Sequence, residues 1–455
     1  MVKIKVINPI LSTISKYDYN VIKPAITFET SYWKPGRFKK DQIFYNKECY
    51  IHKKGALVSI YTGHIDRIQD WCDEYGIECE IEGKYKLYKY GEPKLPGITF
   101  YPEQKELIEN ALPAYQGVIQ APTGIGKTII MMGMLSACPT QRILILTHTI
   151  DLINQLIENL EKFGFDKPTK IGGGNKYPGL FNRITVSTIQ SFAKIDPEEY
   201  RNKFDIVVVD EVHHISKFKG NYAKVLGQIY SPGRFGFSAT IPERWETILA
   251  IEAFIGGMIG ELTMKKAIEG NLIVKPKVKI LKSEGFARIK TLRNYQEVYQ
   301  RGIVENVPRN NQIMKEAKKY IDRGMSVLIL ITRIEHGENL IIAALKNYLD
   351  PFFVRGATDS KTREAIKKSL IEKKTKCVIS TAVWKEGVDI PSLDVVINAG
   401  GGRSEIMTLQ NIGRGLRKFE GKERALVIDF FDNSHRFLVE HFGERISIYM
   451  ENDWL

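Results

Sequence analysis

The sequence predicts an α/β protein, with two tandem parallel-sheet domains preceded by a small α+β module. Three observations carry that expectation. From about residue 98 onward, short apolar runs rich in Val and Ile alternate with helical stretches. The alternation pauses near Glu269–Leu281, "EGNLIVKPKVKIL", and resumes as a second series. Residues 1 to about 95 lack the pattern and are rich in Tyr, Lys and β-formers. Continuous β-branched runs separated by helices indicate strands covered on both faces, as in parallel sheets.

In the first module, Ala56–Gly63 ("ALVSIYTG") reads as a strand. His64–Gly76 reads as an amphipathic helix stopped by glycine, and Ile77–Gly83 as a second strand. Tyr90–Phe100, "YGEPKLPGITF", carries two prolines and two glycines and reads as a linker. The first series of strands is "GVIQAP", "RILILTHT", "RITVST", "DIVVVDEVHH" and "RFGFSAT". The second is "SVLILIT", "PFFVRGAT", "CVISTAV", "VVINAG" and "RALVIDFFD". Between them Gly285–Gln312 is basic and helical and is expected to pack beside the second domain. The expected domains are residues 1–95, 96–270 and 271–455.

A chain of 455 residues, 43% hydrophobic and 26% charged, is long enough for two or three domains with cores of their own. The formal net charge of +13 slightly favours a polyanionic partner, nucleic acid first, over a merely Lys-rich surface. Five scattered cysteines with no C-x-x-C pair argue against a disulfide framework and a zinc site, and fit a reducing cytosol. Lys and Asn interrupt the apolar residues of "MVKIKVINPILSTISK", so it does not read as a signal peptide. No apolar run approaches a membrane span. The expectation is a cytoplasmic protein with no membrane partner.

Ala121–Ile130, "APTGIGKTII", follows an apolar strand and opens a helix. The backbone of Ala121, Pro122, Thr123, Gly124, Ile125 and Gly126 can cradle a polyphosphate at the helix N-terminus. Lys127 would reach the β and γ phosphates, and the Thr128 hydroxyl would ligate Mg²⁺. Val207–His214, "VVVDEVHH", puts Asp210 and Glu211 at the C-terminal end of a buried strand, where ligands of such sheets bind. Asp210 can hold Mg²⁺, and Glu211 can polarise an attacking water as general base. His213 is a candidate link from the ATP site to the neighbouring domain. Ser238 and Thr240 of "FSAT" could hydrogen-bond the Asp-Glu-x-His segment. In "QNIGRGLRK", Gln410, Arg414 and Arg417 would share one helix face, with Gly413 and Gly415 keeping bulk away from it. Arginine is suited to a planar, bidentate grip on phosphate.

Taken in order, "APTGIGKT", "DEVH", "SAT", "STAVWKEGVDIP" (Ser380–Pro391) and "QNIGRGLR" resemble the motifs of superfamily 2 DExH helicases. The resemblance covers about residues 98–430. Within that superfamily the compact core is similar to phage UvsW-type branch-migration helicases, and to archaeal and eukaryotic XPB-like translocases. Ala121 stands where the family usually has glycine, and His148 where it commonly has proline.

The resemblance implies two RecA-like domains facing each other across one ATP, with Mg²⁺. The first carries the phosphate loop, and the second supplies Arg414 and Arg417 as fingers to the γ-phosphate. It implies that Gln410 senses the γ-phosphate or water, and that Gly387 and Asp389 lie near the ribose and γ-phosphate. Gln104 of "FYPEQKELI" matches the adenine-reading position; Phe100 or Tyr101 would either stack on the base or pack in the core. Thr149, Thr188, Thr332, Gly356 and Thr381 match positions that contact nucleic-acid phosphates without reading bases, although each threonine also suits a helix cap or turn. Trp384 and Trp33 suit either base stacking or burial.

Ala56–Gly83 resembles the N-terminal DNA-engaging modules of those families. That implies duplex, forked or branched DNA as partner, with single-stranded DNA a further candidate; it does not say which proteins, if any, are partners. The expected function is an ATP-dependent DNA helicase or translocase, 3′-to-5′ by family inference, that unwinds or branch-migrates junctions in replication, recombination or repair. The alternatives are a DExH RNA helicase and a non-unwinding ATP-driven clamp. A compact Lys-rich motor of this kind fits a phage or another small genome, which would place it in the host cytoplasm.

Overall fold

The computed structural model describes the backbone of residues 1–35, 40–83, 87–122, 124–284, 289–381, 393–402 and 425–455. It describes every side chain among them except those of 32–35, 40–43 and 360. The chain divides into two compact units. One is Met1–Ala121 with Lys127–Leu262, and the other is Thr263–Leu455 with the short loop Pro122–Gly126.

The first unit opens with seven strands, β1 (Val2–Val6), β2 (Leu11–Ser15), β3 (Thr27–Pro35), β4 (Lys40–Glu48), β5 (His52–Lys54), β6 (Leu57–Tyr61) and β7 (Cys79–Glu82). Five form a mixed sheet in the order β5-β6-β2-β1-β7, and β3 and β4 form an antiparallel ribbon. The sequence reading found only the last two of these strands. β1, β2 and β5 are only three to five residues long, and the longer β3 and β4 mix charged and polar residues with their aromatics, so pattern alone does not separate these runs from loops. The helix Ile65–Glu74 covers the sheet with Ile65, Ile68 and Cys72.

This sheet does not stand apart. Its core of Ile4, Ile14, Tyr19, Val58 and Ile60 takes in Leu249 from the helix Trp245–Ile255. Arg67 grips Glu252 of that helix with two hydrogen bonds of 2.6 Å. His64 Nε2 donates to Leu249 O at 2.8 Å, and burial pushes the His64 imidazole down to about 4. At Gly63 an added Cβ would sit 2.0 Å from Glu252 O, so only glycine permits this approach. Phe28 stacks on Phe218, and Tyr61 meets Phe254 edge-on.

Seven further strands form a sheet in the same unit: β8 (Gln116–Gln120), β9 (Ile143–Thr147), β10 (Thr169–Ile171), β11 (Ile184–Thr188), β12 (Ile206–Asp210), β13 (Gly233–Ser238) and β14 (Met258–Glu261). Their order is β10-β11-β9-β12-β13-β8-β14, with every pairing parallel. Burial on both faces explains why β9 and β12 read as near-continuous apolar runs.

The second unit repeats the plan with β15 (Pro276–Lys282), β16 (Val327–Leu330), β17 (Phe352–Val354), β18 (Cys377–Ser380), β19 (Val395–Asn398) and β20 (Ala425–Phe431), ordered β15-β20-β19-β16-β18-β17 and parallel throughout. The 285–312 stretch is turn and coil at 289–294, and helical at Tyr295–Tyr299, Gln300–Val304 and the first residues of Val307–Ile321. Its Val298, Tyr299, Ile303 and Val304 pack on Leu438 of the C-terminal helix Arg436–Glu451. Both units are RecA-like α/β bodies, so the expected fold class holds.

Candidate active site

Strand register assembles the site in the first unit. Gln120 pairs with Ser238 across β8 and β13, and Phe237 pairs with Asp210 across β13 and β12. The phosphate loop, the Asp-Glu pair and the Ser-Ala-Thr segment therefore leave one edge of one sheet side by side. Ligands of parallel α/β sheets bind at this C-terminal edge.

The loop turns sharply because Gly124 (φ +98°) and Gly126 (φ +84°) adopt backbone angles that side chains disfavour. It runs into the helix Lys127–Ser136, whose first amides point toward the loop. Ala121 and Pro122 are buried, and the Ala121 amide is tied to Ser238 O at 2.9 Å. Lys127 Nζ donates to Ala121 O at 3.3 Å, which holds the ammonium over the loop. Thr128 is half-buried one residue into the helix, and Ile125 is buried. Thr123 lies outside the described residues.

Burial pushes the Asp210 carboxyl up to about 7, and the Glu211 carboxylate adds to the rise. Lys127 and the Glu211 amide, 3.1 Å from Asp210 Oδ1, oppose it without cancelling it. A buried Asp210 carboxyl pushed up beside a second carboxylate is what a divalent cation would relieve. The donor set, Thr128 hydroxyl plus Asp210 carboxylate with phosphate oxygens completing it, suits Mg²⁺.

Glu211 sits in a left-handed conformation (φ +53°), a costly choice for a residue with a Cβ that turns the chain at the strand end. His213 Nδ1 lies 3.3 Å from Glu211 Oε2 and 2.8 Å from Ser238 Oγ. Ser238 Oγ donates its proton to Thr240 O at 2.7 Å, so His213 Nδ1 must be the donor to Ser238. A continuous polar chain thus joins Glu211, His213, Ser238 and Thr240. Its last link is the Thr240 carbonyl; the Thr240 hydroxyl makes no hydrogen bond among the described residues. His214 packs on His148, ring centroids 4.0 Å apart.

Other candidates take local structural work. Gln104 Oε1 accepts from the Tyr101 amide at 3.1 Å at the start of the helix Pro102–Ala114, and the residue is only 4% exposed. The Phe100 ring lies against Gly133, whereas Tyr101 is exposed. Thr149 and Thr188 each cap a helix, accepting from Leu152 N and Ser191 N at 3.3 Å. Both lie on the same sheet edge as the loop, since Thr188 pairs with Thr147.

In the second unit Thr332, Gly356 and Thr381 follow the aligned ends of β16, β17 and β18. Thr332 and Gly356 are exposed, and Thr381 is buried with its amide on Val354 O. Gln410, Arg414, Arg417, Gly387, Asp389 and Trp384 lie outside the described residues, and so does the Trp33 side chain.

One cluster escaped the sequence reading. Arg309 and Arg445 are buried ion-pair centres of the second unit. Arg309 binds both oxygens of Asp432 (2.7 and 3.1 Å) and Ala399 O (3.0 Å). Arg445 binds both oxygens of Asp429 (2.7 and 3.0 Å) and Gly402 O (2.9 Å). Tyr299 Oη donates to Gly400 O at 2.6 Å. Three carbonyls of Ala399–Gly402, the root of the segment that carries Gln410, Arg414 and Arg417, are thereby fixed by buried side chains. A signal was present: "VIDFFD" places Asp429 and Asp432 in an apolar strand and its exit, and buried carboxylates need cations.

Comparison with known proteins agrees with this layout. Residues 97–243 match the family described as type III restriction enzyme, res subunit, and residues 311–419 match the helicase conserved C-terminal domain. The ATP-dependent DNA helicase UvsW of Enterobacteria phage T4 is 24% identical over 405 residues, covering 82% of this chain and 79% of that protein. The DNA 3'-5' translocase XPB2 of Sulfurisphaera tokodaii is 29% identical over 362 residues, covering 71% of this chain and 80% of that protein. Among solved structures, S. cerevisiae Dbp5 bound to RNA and ADP BeF3 superposes with a TM-score of 0.56 at 16% identity, over 79% of this chain and 93% of that one. At that identity the likeness concerns the fold.

Proposed function

The chain is a superfamily 2 helicase, a nucleic-acid-dependent ATPase, and from that premise we propose that it is a DNA motor that unwinds or branch-migrates forked and junction DNA. The UvsW and XPB2 proteins, which match 82% and 71% of this chain, are named as DNA enzymes, which favours DNA over RNA. Junction remodelling follows the UvsW likeness specifically. The functional division at about residues 95 and 270 belongs to the same reading, with the N-terminal sheet engaging DNA.

The observation that carries the ATP-site reading is the register that sets Lys127, Asp210, Glu211 and Ser238 on one sheet edge. The amides around Gly124 and Gly126 would hold the phosphates, and Lys127 would leave Ala121 O for the β and γ oxygens. Thr128 and Asp210 would hold Mg²⁺, which when bound neutralises phosphate charge. Glu211 would take the proton of the attacking water, and its left-handed turn aims the carboxylate out of the strand line. The chain from Glu211 through His213 and Ser238 would report that event to the segment after β13. Arg414 and Arg417 would stabilise charge developing on the γ-phosphate, with Gln410 sensing it.

The test is strand displacement and branch migration on fork and four-way substrates. Lys127→Ala should abolish both; unwinding that survives refutes the phosphate-loop assignment. Arg414→Ala should retain ATP binding and lose hydrolysis, and undiminished turnover refutes the finger role. ATPase activity without displacement would identify a clamp.

A further inference from the structure

We propose that the ring contact between His148 and His214 couples nucleic-acid binding to ATP hydrolysis in the first unit. It joins the segment that carries the candidate phosphate contacts Thr149 and Thr188 to the general base Glu211. The proposal rests on the reading of this chain as a DNA motor with those contacts. His148 and His214 are positioning residues in it: neither touches nucleotide or nucleic acid, and both act through a neighbour.

Strand order places the link. β9 runs between β11 and β12, so the residues that leave it lie between the exits of the other two. Thr147 pairs with Thr188 on one side, and Leu146 with Val209 on the other. Gln190, from the helix that Thr188 caps, donates through Nε2 to His148 O at 3.5 Å. Thr147 Oγ1 donates to Thr149 O at 3.0 Å and closes residues 147–149 into a tight turn. The backbone of His148 is thus held on the Thr188 side. Its half-buried ring faces the other way and meets His214, with centroids 4.0 Å apart. His214 meets His213 at 4.4 Å, and His213 Nδ1 lies 3.3 Å from Glu211 Oε2 and 2.8 Å from Ser238 Oγ. Every step from Thr149 to Glu211 is a covalent bond, a ring contact or a polar contact, and packed side chains pass displacement on.

His213 is the element with two arrangements, which coupling between sites requires. Its Nδ1 carries one proton and has two acceptors in reach, Glu211 Oε2 and Ser238 Oγ. Given to Glu211, the proton engages a carboxylate oxygen that would otherwise meet the attacking water. Given to Ser238, as here, it leaves that oxygen to the water. Phosphates bound at Thr149 and Thr188 hold the 147–149 turn in place. His148 then bears on His214, and His214 on His213, which keeps the proton on Ser238. Without nucleic acid the turn relaxes, the His213 ring rotates toward Glu211, and hydrolysis slows.

The test uses the full chain, with ATPase activity measured alone and across a concentration series of oligothymidylate and of a fork. His148→Ala and His214→Ala each remove one side of the ring contact. Turnover without nucleic acid and the DNA concentration for half-maximal stimulation should stay near wild type. The stimulated kcat should fall at least about fivefold, the low end of coupling between distinct sites. His148→Phe keeps a flat ring against His214 and should restore most of the loss. The double alanine variant should be no worse than either single one, since both cut the same contact. Stimulation that survives both alanine changes overturns the proposal. So does an equal loss of basal and stimulated turnover, which marks a pair that merely holds the fold. A raised DNA requirement with kcat unchanged overturns it too, because it marks a contact with DNA itself, and so does His148→Phe as impaired as His148→Ala. A wild-type chain that no nucleic acid stimulates refutes the motor reading and the coupling with it, whereas the other outcomes leave that reading standing.

Discussion

Arg309→Ala should selectively destabilise the second unit. Arg309 is fully buried and Asp432 is 3% exposed, so the substitution strands a carboxylate in the core with two of its hydrogen bonds gone. It also removes the donor to Ala399 O. Breaking a buried pair from one side costs about 3–5 kcal/mol, because the remaining charge is neither paired nor hydrated. For a domain of this size 1 kcal/mol moves the midpoint by about 2–4 °C, which predicts a fall of roughly 6–20 °C. Scanning calorimetry of the full chain should show this in one transition, with ATP binding by the first unit preserved. Arg309→Met combined with Asp432→Leu should recover much of the loss, since it removes the charge pair as a whole. A shift below about 2 °C in the single variant, or a double variant worse than the single, would refute the reasoning.

Three further expectations concern the first unit. Gly63→Ala drives a methyl group into Glu252 O and should cost about 1–3 kcal/mol, read as faster proteolysis of residues 1–83; unchanged cleavage contradicts the close packing. His64 is held neutral by burial, its pKa lowered from 6.5 to about 4, with Arg67 adding to the depression. The unfolded chain therefore binds the extra proton first. The contribution of His64 is complete above pH 6.5 and is lost as pH falls toward 4. Thermal midpoints of wild type and His64→Asn should converge over that interval, and a constant gap would count against it. Glu211→Gln should leave ATP binding within a few-fold while slowing hydrolysis by about 10²–10⁴, and a smaller loss would remove Glu211 from the general-base role.

Much of the molecule was legible because burial leaves a mark on composition. β9, β12 and β16 lie inside sheets, so each carries four consecutive apolar residues that a loop would not. Strand order was not legible, because side chains on a parallel sheet do not encode which neighbour they meet. The phosphate loop stood out because Gly124 and Gly126 occupy backbone angles that favour glycine. Threonines are harder: Thr149 and Thr188 are helix caps, and a cap and a phosphate contact call for the same hydroxyl at the same strand end. Docking of the N-terminal sheet was invisible, because Arg67 and Glu252 are 185 residues apart and resemble surface charges. Arg309 and Arg445 were overlooked for a related reason, since a lone arginine gives no sign of its burial.

The most direct test of the DNA-motor account is steady-state ATPase activity with single-stranded DNA, linear duplex, a four-way or fork junction, and RNA, at matched phosphate. The account predicts the strongest stimulation by the junction or fork, reduced by changes in residues 1–95. Strongest stimulation by RNA would contradict the DNA assignment and leave the ATP site standing.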